Sequence, residues 1–430
     1  MGNYQGYQKY KDSGVVWLGD IPEHWEQKRF KFSVNLINNK IEAENSNLSY
    51  MGLEHIESWT GKKIEDKNAS SEGIGSHFLP NDVLFGKLRP YLAKVYLSDI
   101  EGLASTEALV LRCKNNIFPK FLKYYILSRD FINIVDSSTF GAKMPRASWD
   151  FIGNLFFIFP PLNEQQKIAQ FLDYKTKQID ELIKKKETLI EKLDEKRTAI
   201  ISHAVTKGLD SSVPIKDSGV EWLGDIPEHW EVIKVKHLTK ILRGKFTHRP
   251  RNDPRFYDGQ HPFIQTGDVA NANKFIMEYT QTLNENGYAV SKEFPSGTLV
   301  MTIAANIGDM AILNFNACFP DSIVGFLPSK MTDIFFLYHL FSSMKKQFLS
   351  TAVLNTQLNL NVERISNIFT VIPPLKEQLQ ITDFLNKEMQ KLDLQKAKIK
   401  EAIELLKEYR TSLITNAVTG KIDVSQIAVP

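Results

Sequence analysis

Two long stretches of the chain carry the same hydrophobic rhythm. From Glu164 to about Val205 no glycine or proline occurs. Residues 168, 172, 175, 179, 182, 186, 189, 193, 196 and 200 advance in alternating steps of four and three, and read Ile, Leu, Lys, Ile, Leu, Lys, Leu, Leu, Lys, Ile. Shifted by 213 residues, positions 381 to 413 read Ile, Leu, Glu, Leu, Gln, Ile, Ala, Leu, Tyr, Leu. A heptad seam in a shared register predicts two long helices, the first roughly 60 Å long at ~1.5 Å per residue. Lys184–Lys186 alternate with Glu187, Glu191, Asp194 and Glu195, the mixture of a solvated coiled-coil face rather than a DNA stripe. A helix of this length cannot bury a narrow seam on one small domain, so the two are expected to pair with each other.

Elsewhere the pattern shortens to β-length runs. The block from about Phe30 to Phe159 has them at Ser49–Met51, Asp82–Phe85, Ala93–Tyr96 and Ala108–Arg112, then a helix at Pro119–Ser128. A second block repeats the series at Phe263–Thr266, Thr298–Ile303, Ala311–Leu313 and Ile323–Phe326, then a helix near Asp333–Phe348. Each block is predicted to be an α/β or α+β domain with local hairpins.

The chain is an internal duplication. Lys11–Glu26 (KDSGVVWLGDIPEHWE) and Lys216–Glu231 (KDSGVEWLGDIPEHWE) agree at 15 of 16 positions, at an offset of 205. Pro160–Gln165 (PPLNEQ) matches Pro373–Gln378 (PPLKEQ) at 213, so the second half carries a net insertion of eight residues between the two motifs. A period above 200 residues excludes a solenoid. Four segments follow. Residues 1–159, with the frame motif 11–26, and 211–372, with the frame motif 216–231, form two globular regions. Residues 160–210 and 373–430 form a central and a distal long-helix region. The prolines of PPL-x-EQ end an extended stretch, and Asn163 is placed to cap the first helix. The first helix runs through a turn straight into a frame motif, whereas the second leads to the chain end. The order is that of a ring cut open, so residues 11–26 are expected to dock at the end of the second helix. His24 and His229 read as structural, because no second His or Cys lies at metal spacing.

Composition narrows the function. Of 430 residues 43% are hydrophobic, enough for large cores, and 53 basic against 50 acidic residues leave a net charge of +3. That excludes a strongly basic coat, so nucleic-acid binding has to come from local patches. Two cysteines far apart fit a reducing compartment. Without a run of 18 apolar residues or an apolar leader, a cytoplasmic location is expected. The first block offers Lys87, Arg89, Lys94, Lys143 and Arg146. The second concentrates Arg243, Lys245, His248, Arg249, Arg251 and Arg255 within 13 residues, against Asp253 alone. Such side chains suit phosphate contacts, and arginine suits bidentate contacts to guanine. Asn306, Gln357, Asn359 and Asn361 are candidates for reading adenine edges.

No phosphate-binding loop, dinucleotide fingerprint or methyltransferase Pro-Pro-aromatic motif is found, and no nucleophile–histidine arrangement recurs in both halves, so a non-catalytic protein is expected. The doubled PPL-x-EQ helix, the doubled GDIPEHW and the segment Pro80–Pro90 (PNDVLFGKLRP), with its weaker counterpart Pro295–Val300, resemble the specificity subunit of type I restriction–modification systems. The resemblance spans essentially the whole chain, except that Asp82 has no acidic match in the second copy. It implies a pseudo-two-fold α+β protein with two target recognition domains separated by an antiparallel two-helix coiled coil. Each domain would read half of a bipartite, asymmetric site on double-stranded DNA. With helices of this length, half-sites about one helical turn apart, roughly 34–36 Å, are reasonable. The implied partners are two methyltransferase subunits, which would bind S-adenosylmethionine, and restriction subunits, which would bind ATP and Mg. No cofactor is expected on this chain. Two other readings stay open: a type II-like modification enzyme, and a coiled-coil adaptor without DNA readout. Under the adaptor reading, charge reversal at Arg249 and Arg251 leaves DNA binding unchanged.

Overall fold

The computed structural model describes residues 4–427 and 429, apart from 43–45, 65–72, 142, 249–251, 305–306, 351–352 and 355–357; for 353–354 and 358–359 it describes the backbone only. The chain divides into two compact units, Met1–Thr188 with Ile399–Pro430, and Leu189–Lys398. The long helices run from Leu162 to Lys207 and from Leu375 to Val418. Each unit thus contains the start of one long helix and the end of the other, so the segments 160–210 and 373–430 are shared between the units. Among the described residues no helix is long and apolar enough to cross a membrane.

In unit 1 an antiparallel sheet has the order Val34–Ile37, Ala108–Cys113, Val83–Gly86, Val95–Leu97. A second, mixed sheet has the order Lys40–Glu42, Ile74–Phe78, Gly102–Ser105, Ser49–Met51. Unit 2 repeats the first sheet as Thr239–Arg243, Ile323–Pro328, Leu299–Thr302, Met310–Leu313, and adds Phe275–Ile276 at the edge. Its second sheet is built from Gln281–Leu283, Tyr257–Phe263, Ala317–Cys318 and Glu293–Phe294. The fold is α+β. The run read as a strand through Thr266 stops at Phe263, because Thr266–Asn271 is helical, with Asp268 accepting from the Gln265 N–H.

The frame motifs explain their own sequence. In PPL-x-EQ the glutamate ties down the tryptophan motif. Glu164 accepts from Trp25 Nε1 at 3.1 Å, His24 Nε2 at 2.8 Å and the Tyr7 hydroxyl at 2.7 Å. Glu377 accepts from Trp230 Nε1 at 2.9 Å and His229 Nε2 at 2.6 Å. Both histidines are structural. The glutamine, fully buried, satisfies backbone at the start of an earlier helix, Pro119–Ile126 in unit 1 and Ile334–Ser343 in unit 2. Gln165 donates to the Pro160 and Asn116 carbonyls and accepts from the Phe118 N–H, while Gln378 donates to Pro373 and Met331 and accepts from Asp333. Buried backbone groups need such partners, which accounts for an amide at this position in both copies. The first helix opens at Leu162, one residue before the expected cap Asn163.

The helices pair, and the expected seam holds at alternate positions: Ile168, Leu172, Ile179, Leu385, Leu392 and Leu413 are buried, and Leu193, Ile200 and Leu406 half-buried. At the intervening positions it moves by one residue: Thr176 and Arg410 are buried and Ile183, Ile190, Arg197 and Lys396 are half-buried, while Leu182 and Leu189 are exposed. The sequence offers apolar residues at both 182 and 183, and at both 189 and 190, so periodicity alone does not select the phase. Ion pairs do. In unit 2 Arg197 meets Asp393 at 2.7 Å and Lys396 meets Asp194 at 2.6 Å. The two residue numbers add to the same total in both pairs, as antiparallel helices require. In unit 1 Arg410 meets Asp180 at 2.9 Å. That pair is the repeat of Arg197–Asp393, shifted by 213 with the two helices exchanged.

The expected ring closure is present in unit 1. Lys421 Nζ, just past the second helix, donates to the Leu18 and Asp20 carbonyls at 2.9 and 2.7 Å, and the Asp423 N–H donates to Gln5. Lys207 makes the same contacts to Leu223 and Asp225 in unit 2. Gly420, at φ +73°, lies where a Cβ would run into the Pro22 ring, so the docking site requires glycine.

One buried site has diverged between copies. Tyr124 donates to Asp173 at 2.7 Å. Its counterpart by helix register is His339, facing Asn386 and Met389 where unit 1 has Asp173 and Thr176. Among the described residues neither His339 ring nitrogen has a partner at normal hydrogen-bond geometry, and Asn386, the polar neighbour, only partly offsets the burial. Burial first, then the charges of Lys274 and Arg197, push its pKa down to about 4. His339 is therefore neutral when folded, and unfolding lets it bind a proton below its ordinary value of 6.5. Its contribution is complete above that pH and is lost as pH falls toward 4, by up to about 3 kcal/mol. Urea titrations at pH 7 and 4.5 should show a smaller acid loss for His339→Phe than for the wild type. An unchanged loss contradicts the assignment.

Candidate nucleic-acid interface

Four of the five basic candidates of unit 1 collect on one small ladder. The strand Val83–Gly86 runs on into Lys87–Arg89, which a hairpin covers. The Ala147 N–H donates to the Lys87 carbonyl at 2.9 Å, the Arg89 N–H donates to Pro145 at 2.8 Å, and antiparallel bridges join Leu88 to Arg146 and Arg146 to Phe140. Lys87 is half-buried, whereas Arg89, Lys143 and Arg146 are exposed. Arg146 is held by both oxygens of Glu107 at 3.0–3.2 Å. Lys94 is not part of the ladder. Its ammonium caps the Leu53 and Ile56 carbonyls at 2.6 and 3.0 Å, which ties its charge to the interior of the domain.

Arg89 and Ala93 both have positive φ, 50° and 46°, on either side of the short helical turn Pro90–Leu92. The following proline disfavours right-handed helical backbone at Arg89. A non-glycine residue in the left-handed region costs about 1–3 kcal/mol and persists only where its surroundings impose it. Here the strain lies beneath an exposed arginine. Asp82, in the same motif, points the other way. It is buried, takes Arg112 Nε and Nη2 at 2.7 Å each, and accepts from the Leu79 N–H. In the second copy the strand register places Thr298 and Leu327 at the matching positions, so both halves of that ion pair are replaced together.

Unit 2 carries the same hairpin. Val353–Leu354 pairs with Leu358–Asn359, and the register Val353↔Asn359 repeats Phe140↔Arg146 at an offset of 213. The Leu360 N–H reaches the Ile303 carbonyl beside it. Asn359 thus occupies the position of Arg146, although its side chain is outside the description. Arg249, Arg251, Asn306 and Gln357 lie outside the described residues. Asn361 caps the helix Val362–Asn367, accepting from the Glu363 N–H.

The basic cluster 243–255 is partly neutralised from within. Asp253 takes Arg255 at 2.7 Å and His248 at 3.2 Å, and Arg255 holds its carboxyl well below the usual carboxylate range. His248 stacks on Phe256 with ring centroids 4.0 Å apart. Arg243 Nε donates to the Asp321 carbonyl. Lys245 is exposed, its backbone tied to Phe319 and Ser291. Among the described members Arg243, Lys245 and Arg255 are exposed, and of these Arg255 is the one paired with a carboxylate.

Sequence reading missed the apolar part of the unit 1 surface. Phe140 is 77% exposed, Met144 51% and Tyr91 45%, all within the turns that carry Arg89, Lys143 and Arg146. The available signal was aromatic and apolar residues inside turns otherwise rich in basic ones.

Comparison with known proteins adds a family. The model of the type I restriction modification DNA specificity domain matches residues 11–192 and 227–405. A putative type I restriction enzyme MjaX specificity subunit of Methanocaldococcus jannaschii is 26% identical over 439 residues, covering 97% of this chain and 98% of its own. The MjaVIII specificity subunit of the same organism is 26% identical over 431 residues, covering 95% of each. Among solved structures, one concerned with complex assembly and conformational transition of the type I R-M system has a TM-score of 0.71 at 19% identity, covering 93% of this chain and 98% of that one. The HsdS subunit from Thermoanaerobacter tengcongensis has a TM-score of 0.55 at 19% identity, covering 94% and 98%. At these identities the structures speak for the fold alone.

Proposed function

The chain belongs to the type I restriction modification DNA specificity family, and from that premise we propose that each unit reads one half of a bipartite, asymmetric DNA target while the paired helices dock methyltransferase subunits. One observation carries the reading. The two units share the strand order of the first sheet, the frame motifs and the hairpin register, yet the residues that the hairpin and its neighbouring strand present are different. A repeated frame offers the same docking surface twice, as two identical partners require, and unlike tips offer readout of two unlike half-sites.

In unit 1 the reading assigns Arg89 and Lys143 to DNA contact, with Lys87 and Arg146 beside them. In unit 2 it assigns the hairpin carrying Asn359, the Asn306 and Gln357 segments, and the cluster around Lys245 and Arg255. The chain itself performs no chemistry in this account. S-adenosylmethionine would be held by the methyltransferase, and ATP with Mg by a restriction subunit where one is present.

With a net charge of +3 the chain supplies only part of the phosphate contact. Alone it is expected to bind duplex DNA in the non-specific range, about 10⁻⁴–10⁻⁶ M at physiological salt, whereas the assembled complex should reach about 10⁻⁸–10⁻¹¹ M on its target. Co-expression with the methyltransferase, mass determination and titration with DNA test this. Two methyltransferases per chain and the affinity gap are expected. Tight site-specific binding by the lone chain counts against the reading.

A further inference from the structure

We propose that Phe140, with Met144 beside it, is an apolar wedge that enters the base stack of the half-site facing unit 1. The inference rests on the DNA-reading proposal and adds how that half-site is deformed. A single exposed apolar residue needs no explanation. Here three share one turn region, with Phe140 77% exposed, and among the described residues its ring has no aromatic or cationic partner. Its backbone is fixed, because Phe140 and Arg146 exchange both ladder hydrogen bonds, at 3.1 and 3.3 Å. Gly141 follows at φ +96°, and Lys143 and Met144 are exposed in the same turn region.

The surrounding charge selects the occupant. Arg89, Lys143 and Arg146 are exposed in the paired turns that carry Phe140, with Glu107 already engaged by Arg146. A surface of this composition is complementary to a phosphate backbone. Basic residues held on two phosphates would bring the ring to the groove between them, where apolar side chains are able to part a base step. In unit 2 the position of Phe140 is Val353, which is too small to replace a stacking ring. The wedge is therefore one-sided, and only one of the two half-sites should be unstacked.

The test uses the chain assembled with its methyltransferase. Its methylated motif is first found by sequencing, and 2-aminopurine is then placed at successive positions of both half-sites, excluding the methylated base. A several-fold rise in fluorescence is expected at a step in one half-site only. Phe140→Ala should abolish the rise and weaken binding about tenfold, as loss of a base–aromatic contact does, while Phe140→Trp retains both. Arg89→Ala is measured in parallel. If it weakens binding while no step responds to Phe140, the wedge is wrong and the DNA face stands. If neither substitution alters binding, the DNA face of unit 1 fails as well. If Phe140→Ala instead releases the methyltransferase, the ring is a protein contact and the wedge is overturned.

Discussion

Arg410→Ala is expected to destabilise unit 1 by about 3–5 kcal/mol, whereas the repeat-equivalent Arg197→Ala should cost unit 2 less than about 1 kcal/mol. The two arginines make the same ion pair, and burial separates them. The Arg410 side chain is 6% exposed and Asp180 14%, against 29% for Arg197 and 48% for Asp393. Arg410 also donates to the Trp59 carbonyl at 2.9 Å and to Thr60. Truncation strands a nearly buried carboxylate and two carbonyls, with Lys62 as the remaining cation on Asp180 at 2.8 Å. Hydrogen exchange resolves the units. Protection should fall in residues 162–188 and 399–418 for Arg410→Ala, and hardly change in unit 2 for Arg197→Ala. Replacing Asp180 and Arg410 together by apolar residues of similar size should restore part of the loss, because it removes a nearly buried carboxylate left with Lys62 alone, while the Trp59 and Thr60 carbonyls still lack their donor. Equal, small effects at both arginines would show that the pair in unit 1 is solvated.

What the sequence reveals here depends on the range of the interaction. The duplication, the two long helices and most strands of the first sheets follow from local pattern. The closure of Lys421 on the first frame motif follows from repeat order. The seam phase does not, because Leu182 and Ile183 are both apolar and the choice is made by Asp180 and Arg410, 230 residues apart. Nor can a sequence distinguish Lys94, spent on two carbonyls, from Lys143, exposed in a turn. Glu164 and Gln165 are visible as a motif, but their roles need Trp25 and Phe118 brought beside them. In the 243–255 cluster the formal excess of positive charge overstates the field, since Asp253 takes two of the basic groups at once. Phe140 escaped because an apolar residue in a turn reads as core until its exposure is known.

The second large effect concerns the DNA face of unit 1. Arg89→Ala combined with Lys143→Ala is expected to lower the affinity of the assembled complex for its target about 10²-fold. A lost bidentate arginine contact is worth about 1–3 kcal/mol, and each lost phosphate contact reduces the salt slope by about one. Among the described residues neither side chain has a hydrogen-bond or ion-pair partner, so the thermal stability of the chain should not change. Lys94→Ala is the contrasting control. It uncaps the Leu53 and Ile56 carbonyls and should lower stability by about 1–3 kcal/mol, with an effect on DNA binding no greater than that loss of folding explains. If the double variant binds as the wild type does, these turns do not face DNA.

The most direct test of the central claim is single-molecule sequencing of DNA methylation in cells that express the neighbouring methyltransferase with this chain, without it, and with the Arg89→Ala, Lys143→Ala variant. The account predicts a bipartite, asymmetric motif that is present with the chain and absent without it. With the variant, the motif should be relaxed in one half only. Methylation that is unchanged when the chain is removed would contradict the account and leave a helical adaptor with no part in choosing the DNA sequence.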